Sequence, residues 1–168
     1  MVVLGIDPGT ASTGYGVVAR RGGRLVALDG GVIQTAAGLA LERRLATIHA
    51  RVAELVDEHG PAAVAVEDLF FGINVRTAFA VGQARGAVLL AAGQRGVPCA
   101  SYTPQQVKSA VCGSGRADKA QVQHMVQRLL GLAKPPKPAD AADAAALALC
   151  HLAHAPLRRS VAAASGAR

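Results

Sequence analysis

A chain of 168 residues that is 51% hydrophobic is long enough for one domain with a sizeable core. Its formal net charge of +7 and pI of about 10.0 point to nucleic acid or another polyanion as partner. Three widely spaced cysteines (Cys99, Cys112, Cys150) with no CxxC pair argue against a disulfide framework, and no apolar run approaches the ~20 residues of a membrane span. A reduced cytoplasm is the expected compartment. The first apolar run is short and ends in Asp7-Pro8-Gly9, so no signal peptide is expected.

Residues 2–7 read as a buried strand closed by Pro-Gly. Gly14 to Ala19 and Leu25 to Ile33 read as two more strands, with Arg21-Gly22-Gly23-Arg24 as the hairpin turn between them. Leu39 to His59 carries Leu41, Leu45, Ile48, Val52 and Leu55 at spacings of three and four, an amphipathic helix that Gly60-Pro61 stops. Val64 to Glu67 is a buried strand, and Leu69 to Ile73 a loop. Asn74 can cap a helix running to about Arg95. Val97 to Tyr102 is a strand, and Pro104 suits the first turn of a helix near Gln105 to Val111. Helices follow at Ala120 to Leu130 and Ala139 to Ala153, joined by a rigid linker from Lys134 to Pro138. The expected organisation is one domain over residues 1–154 and a basic, flexible tail over residues 155–168. Strands first, then strands alternating with helices, predict an α/β fold with a mixed sheet flanked by helices.

Four of the eleven acids stand in apolar settings. Asp7 ends Val2-Val3-Leu4-Gly5-Ile6, and Glu67 ends Ala62-Ala63-Val64-Ala65-Val66. Asp140 and Asp143 interrupt an alanine-rich stretch. A buried carboxylate is costly unless it is paired or holds a metal, and hard divalent cations such as Mg2+ and Mn2+ favour oxygen ligands. Asp140 and Asp143, spaced i, i+3, share a helix face. Asp7 and Glu67 end strands that a strand–helix–strand unit would set side by side, at the sheet edge where ligands bind. Taken singly, Asp7 can merely start a turn and Asp140 cap a helix. Taken together on a basic chain, the four predict one metal site. Two-metal nucleases, with ions about 4 Å apart, need such converging carboxylates.

The segments Gly5-Ile6-Asp7-Pro8-Gly9-Thr10, Glu67-Asp-Leu-Phe70-Phe71, Gly82-Gln-Ala-Arg85-Gly86, Lys119-Ala-Gln-Val-Gln-His124-Met125 and Pro138-Ala-Asp140-Ala-Ala-Asp143-Ala resemble the RuvC-type Holliday junction resolvases. The match runs from about residue 2 to 154. It implies a ribonuclease-H-like fold with a five-stranded mixed sheet, a homodimer, and symmetric cutting of two strands of a four-way DNA junction to 5′-phosphate and 3′-hydroxyl ends. It also implies bacterial origin and partnership with a branch-migration motor of the RuvA and RuvB type. The family's four acids fall on Asp7, Glu67, Asp140 and Asp143, expected to hold two Mg2+ or Mn2+ ions per site. Asp7 would bridge both ions, Glu67 and Asp143 hold one each, and Asp140 complete the shell or orient the water. Some members carry His at one late acid position; both are Asp here.

For DNA contact, Phe70 and Phe71 can either both join the core or offer one ring to DNA; the resemblance favours Phe70 as a wedge against a base near the crossover, with Phe71 beside it. Base–aromatic stacking contributes about 1–3 kcal/mol. Arg76, near the start of the next helix, can pair with phosphate or stand in solvent. Lys108 and Lys119 match family lysines beside the site. Lys119 follows Gly113-Ser-Gly-Arg116 near a helix N-terminus, a natural phosphate cradle that can stabilise transition-state charge. Arg116 is a weaker contact candidate; Arg158, Arg159 and Arg168 can add salt-dependent affinity, but a disordered tail is the favoured reading. The small residues Gly82, Ala84, Gly86 and Ala87 make the Asn74–Arg95 helix the expected dimer interface; alternatively, Gly82 and Gly86 pack against the sheet.

Other signals fail on context. Gly14-Tyr-Gly16-Val-Val-Ala19 resembles part of a dinucleotide fingerprint but has no helix after it. His151 and His154 beside Cys150 lack partner ligands at zinc spacing and read as helix-surface histidines. His124 reads as structural, with a position near the phosphates as the alternative. A non-catalytic junction-binding module, an ATP-binding protein with the Asp-x-Gly turn and a ribonuclease H are the competing functions. Metal-dependent nicking, nucleotide binding and substrate competition separate them from a resolvase.

Overall fold

Residues 2–34 build three strands before any helix appears, the first two with continuous buried runs. In the computed structural model, which describes residues 1–68 and 75–165 with side chains over 1–68 and 77–155, these are β1 (Val2–Asp7), β2 (Ser12–Arg21) and β3 (Arg24–Gln34). Gly22 and Gly23 turn the hairpin with φ of 52° and 82°, the left-handed values that two-residue hairpin turns require and glycine adopts without strain. β1 pairs antiparallel with β2, and β2 with β3. The chain then crosses over through α1 (Leu41–His59) to β4 (Ala63–Glu67), which lies parallel to β1, and through α2 (Val75–Gly93) to β5 (Cys99–Tyr102), parallel to β4. The result is a five-stranded mixed sheet in the order β3-β2-β1-β4-β5, followed by α3 (Pro104–Cys112), α4 (Lys119–Leu129) and α5 (Ala139–Ser165).

Each sheet face has its own core. On one side, Leu4, Ile6, Val17, Val64 and Val66 meet Ile48, Val52 and Leu55 of α1 and Ala84, Val88, Ala91 and Ala92 of α2. The α1 stripe is therefore as predicted from Ile48 onward, whereas Leu41 at its start is exposed. On the other side, α5 lies across β1 and β2 with α3 and α4 packed beside it, enclosing Val3, Val18, Tyr102, Val107, Val126 and Leu147. Glycines allow this close approach: a Cβ on Gly5 would stand 1.9 Å from the Ala144 carbonyl oxygen, and one on Gly16 would stand 2.8 Å from Ala145 Cα. The glycines of the rejected fingerprint thus serve helix–sheet contact.

Two expectations need correction. α5 continues through Ser165 rather than ending at Ala153. A proline inside a helix removes one hydrogen bond, but the leucine, arginine and alanine residues after Pro156 are good helix formers. His151 is not on the helix surface: it is buried, because Tyr102 on β5 supplies a polar partner, with Oη 3.0 Å from His151 Nδ1.

Candidate active site

Register alone brings the first two acids together. Ile6 of β1 is paired with Val66 of β4, so Asp7 and Glu67 end adjacent parallel strands at the same sheet edge. α5 starts over that edge and carries Asp140 and Asp143 in its first two turns. Asp7, Asp140 and Asp143 each present a carboxylate oxygen, and these atoms lie within 4.8 Å of one another. Glu67 stands outside this trio but lies close enough to Asp7 for each carboxyl to perturb the other. With Asp7 and Asp143 it lines a cavity of about 310 Å³. All four predicted acids are therefore neighbours, in two overlapping groups that share Asp7 and Asp143.

The electrostatics of the cluster are unfavourable as it stands. Burial, followed by the charges of Asp143 and Asp140, pushes the Asp7 carboxyl up to about 6. Burial, followed by Asp7 and Asp143, pushes Glu67 up to about 7. Desolvation and like charge both disfavour ionisation. Oxygen ligands at this spacing, with charge left uncompensated, suit a hard divalent cation. The donor set contains no sulfur or nitrogen, which further favours a magnesium- or manganese-type ion over zinc.

Two lysines oppose the acids. Thr103 caps α3, its hydroxyl accepting from Gln106 N while the Gln106 side chain accepts from Thr103 N. This fixes the helix whose Lys108 lines the cavity. Asp118 caps α4 in the same reciprocal way with Gln121. Lys119 is thus the first residue of α4, where the positive end of the helix dipole lies. Its Nζ reaches Asp143 Oδ2 at 2.8 Å, a contact that raises the lysine pKa. Pro104, Val107, Val122, Ala146 and Leu147 give the cavity an apolar wall.

The other predicted contacts fall elsewhere. Arg116 lines a separate concavity of about 430 Å³ with Ser114, Gln121 and an exposed His124, beside the acids' cavity rather than in it. Phe70 and Phe71, the cap at Asn74 and Arg168 lie outside the described residues. Arg76 begins α2, with its side chain outside them, as are those of Arg158 and Arg159. Among the described residues, the metal-binding group found is the acidic trio, and none forms around His151 and His154.

Sequence reading missed Ser12, whose Oγ donates to Asp140 Oδ2 at 2.5 Å. It also missed the bracing of the β1–β2 turn. Thr13 Oγ1 donates to Gly9 O and accepts from Gly9 N, and Arg44 Nε donates to Thr10 O and Thr35 Oγ1. Apart from Thr13–Gly9, these contacts join residues that lie 9 to 128 positions apart in sequence, where no local period marks them.

The family model described as crossover junction endodeoxyribonuclease RuvC matches residues 3–151. A relative of that description from Moorella thermoacetica is 54% identical over 159 residues, covering 95% of each chain. One from Rubrobacter xylanophilus is 55% identical over 150 residues, 89% of this chain and 84% of that one. The solved structure of T. thermophilus RuvC in complex with Holliday junction substrate superposes with a TM-score of 0.89 at 46% identity, covering 94% of this chain and 96% of that one. The mixed five-stranded sheet is accordingly the ribonuclease-H-like fold. From the junction of acids on β1, β4 and α5 to the sequence along nearly its whole length, this chain belongs to the RuvC family of crossover junction endodeoxyribonucleases.

Proposed function

We propose that this chain resolves four-way DNA junctions by hydrolysing two symmetric phosphodiester bonds. The observation that carries the reading is the convergence of Asp7, Glu67 and Asp143 on one cavity that Lys108 and Lys119 also line, with Asp140 beside Asp7 and Asp143. Family membership supplies the substrate class: the T. thermophilus relative is described with a Holliday junction substrate. Asp7, Glu67, Asp140 and Asp143 hold two Mg2+ or Mn2+ ions per site. When bound, such ions acidify water and neutralise charge on phosphate. Lys119, at the α4 N-terminus, and Lys108 draw the scissile phosphate into the cavity. A water oxygen forms the new bond to phosphorus, the P–O3′ bond breaks, and the products are a 5′-phosphate and a 3′-hydroxyl. Phe70, Phe71, Arg76 and Arg116 extend the DNA contact. Residues 1–154 carry the nuclease, and residues 155–168 add basic charge. A bacterial cytoplasm and a motor of the RuvA and RuvB type complete the setting; among the described residues no helix is long and apolar enough to cross a membrane.

The test is a panel of labelled substrates. With Mg2+ or Mn2+, the protein is expected to nick a four-way junction in two symmetric strands and to leave linear duplex and RNA–DNA hybrid largely intact. EDTA should abolish the reaction. Junction binding without nicking under either metal would leave a binding module instead, and preference for the hybrid would indicate a ribonuclease H.

The protein acts as a homodimer joined through α2. Phe79 and Leu90 are 69% and 55% exposed, large apolar residues set i, i+11 on one stripe. Gly86 between them is open, with nothing within 4 Å of an added Cβ. The small residues therefore divide their work. Ala84 packs inward and Gly86 faces out, leaving room for a second helix. Gly86→Arg should weaken the dimer by roughly 100-fold or more, since an unpaired charge buried at an interface costs ~3 kcal/mol. Sedimentation should show monomers, and paired nicking should fall while the monomer's melting temperature changes little. A Gly86→Arg protein that stays dimeric would place the interface elsewhere.

A further inference from the structure

The four acids do not share one kind of counterpart. Asp143 is met by the full charge of Lys119 at 2.8 Å, whereas Asp140 is met by a neutral hydroxyl, that of Ser12, at 2.5 Å. Ser12 begins β2, 128 positions away in sequence, and grips Asp140 together with Gly14. A Cβ on Gly14 would stand 2.2 Å from the Asp140 carbonyl oxygen and 3.0 Å from its Cβ, so β2 bears directly on the Asp140 backbone. The segment presenting Ser12 is itself held. Thr13 is fully buried and bridges Gly9. Thr35 on the end of the sheet donates to Thr10 O, and Arg44 of α1 binds both. A hydroxyl aimed by this many contacts is pre-organised.

We propose that Ser12 is a positioning residue for the cation site: by donating to Oδ2 of Asp140, it fixes that carboxylate and leaves Oδ1 to the cation. The inference rests on reading the acid cluster as a cation site. A hydroxyl suits the role because it orients a carboxylate without cancelling its charge, as an ammonium partner would in part. Removing a hydrogen-bond partner that orients a metal ligand typically lowers metal affinity by about 10–100-fold. No residue of the cluster changes identity when Ser12 is altered, so its effect is separable from loss of a ligand.

The experiment measures Mn2+ binding to the DNA-free protein by calorimetry, alongside the melting temperature without metal and junction cleavage as a function of Mn2+ concentration. Ser12→Ala should bind Mn2+ roughly tenfold more weakly, need correspondingly more Mn2+ for half-maximal cleavage, and reach near-normal cleavage at saturation. Its melting temperature without metal should stay close to that of the wild type. Ser12→Thr keeps the hydroxyl and should restore affinity to within about twofold, a rescue that a merely space-filling role of Ser12 would not require. Wild-type affinity in Ser12→Ala, or equal losses in the alanine and threonine variants, would overturn the proposal while the cation site itself stood. Absence of Mn2+ binding by the wild type, or indifference of that binding to Asp140→Asn, would overturn both.

Discussion

Asp7→Asn will abolish junction cleavage and, in the metal-free protein at pH 8, raise the melting temperature. The two effects have one cause. Asp7 lies between Glu67 and the two acids of α5, and burial with their charges holds its carboxyl at about 6 rather than the ordinary 3.8. A folded-state value above the unfolded one means that protonation favours the fold. The associated stability is fully present below about pH 4 and is lost as pH rises through 6. Glu67, raised from 4.5 to about 7, extends the same loss to higher pH. The Asp7 shift corresponds to on the order of 2 kcal/mol at pH 8 after allowance for its partial exposure. An asparagine escapes that penalty and keeps the shape, so the variant should melt about 4–8 °C higher at pH 8, by roughly half that margin at pH 5, and level with the wild type only below about pH 4. Mn2+ should reverse the order. It binds the deprotonated acids, so it should stabilise the wild type more at pH 8 than at pH 6 and the variant hardly at all. Cleavage should fall by about 1,000-fold or more, the scale on which losing a main catalytic electrostatic contact acts. Thermal melts at both pH values, with and without Mn2+, check the stability arm. A lower melting point for the variant at pH 8 would mean that the acids are structurally paired rather than mutually repelled.

How much of this was legible in the sequence depends on the range over which each feature is encoded. β1 was readable because eight consecutive residues carry the whole message: an apolar run, then an acid, then Pro-Gly. The hairpin at Gly22-Gly23 and the buried core of the α1 stripe were readable for the same reason, since turn chemistry and the 3.6-residue period are local. Asp140 and Asp143 could be placed on one helix face by counting. Contacts that finish the site carry no such period. Ser12 meets Asp140 across 128 residues, and Tyr102 meets His151 across 49. A serine near a strand start and a histidine late in a helix look ordinary until the sheet and α5 close on each other. Gly14 and Gly16 show the same limit from the other side. Their rarity inside a strand was visible, but their reason, the backbone of α5, was not.

Gly5→Ala will test that closure, and it should do more damage than any other single methyl in the molecule's sheet. Gly5 sits in the middle of β1 with its missing side chain facing α5. A Cβ there would lie 1.9 Å from the Ala144 carbonyl oxygen and 2.8 Å from Ala148 N, about 1.5 Å short of the 3.4 Å at which ordinary contact begins. Both obstacles are backbone, so no rotamer change relieves them; the helix must move. Retreat of α5 would loosen Ala144, Leu147, Ala148 and Leu152 from the sheet, all of them buried. Overpacking of this kind costs about 3 kcal/mol or more, a fall of roughly 6–12 °C in melting temperature for a chain of this size. The same retreat would carry Asp140 and Asp143 away from Asp7, because the helix that covers the core also carries the acids. Mn2+ affinity should therefore drop although every acid is intact, and activity should fall with it. Gly38→Ala is the control: its added Cβ meets nothing within 4 Å, and the change should stay within about 0.5 kcal/mol. Circular-dichroism melts and Mn2+ calorimetry on both variants decide the matter. A Gly5→Ala protein with wild-type melting and metal affinity would show that α5 does not rest on β1 at this distance. Stability and metal binding falling together would show that core packing and acid spacing are set by the same helix–sheet contact.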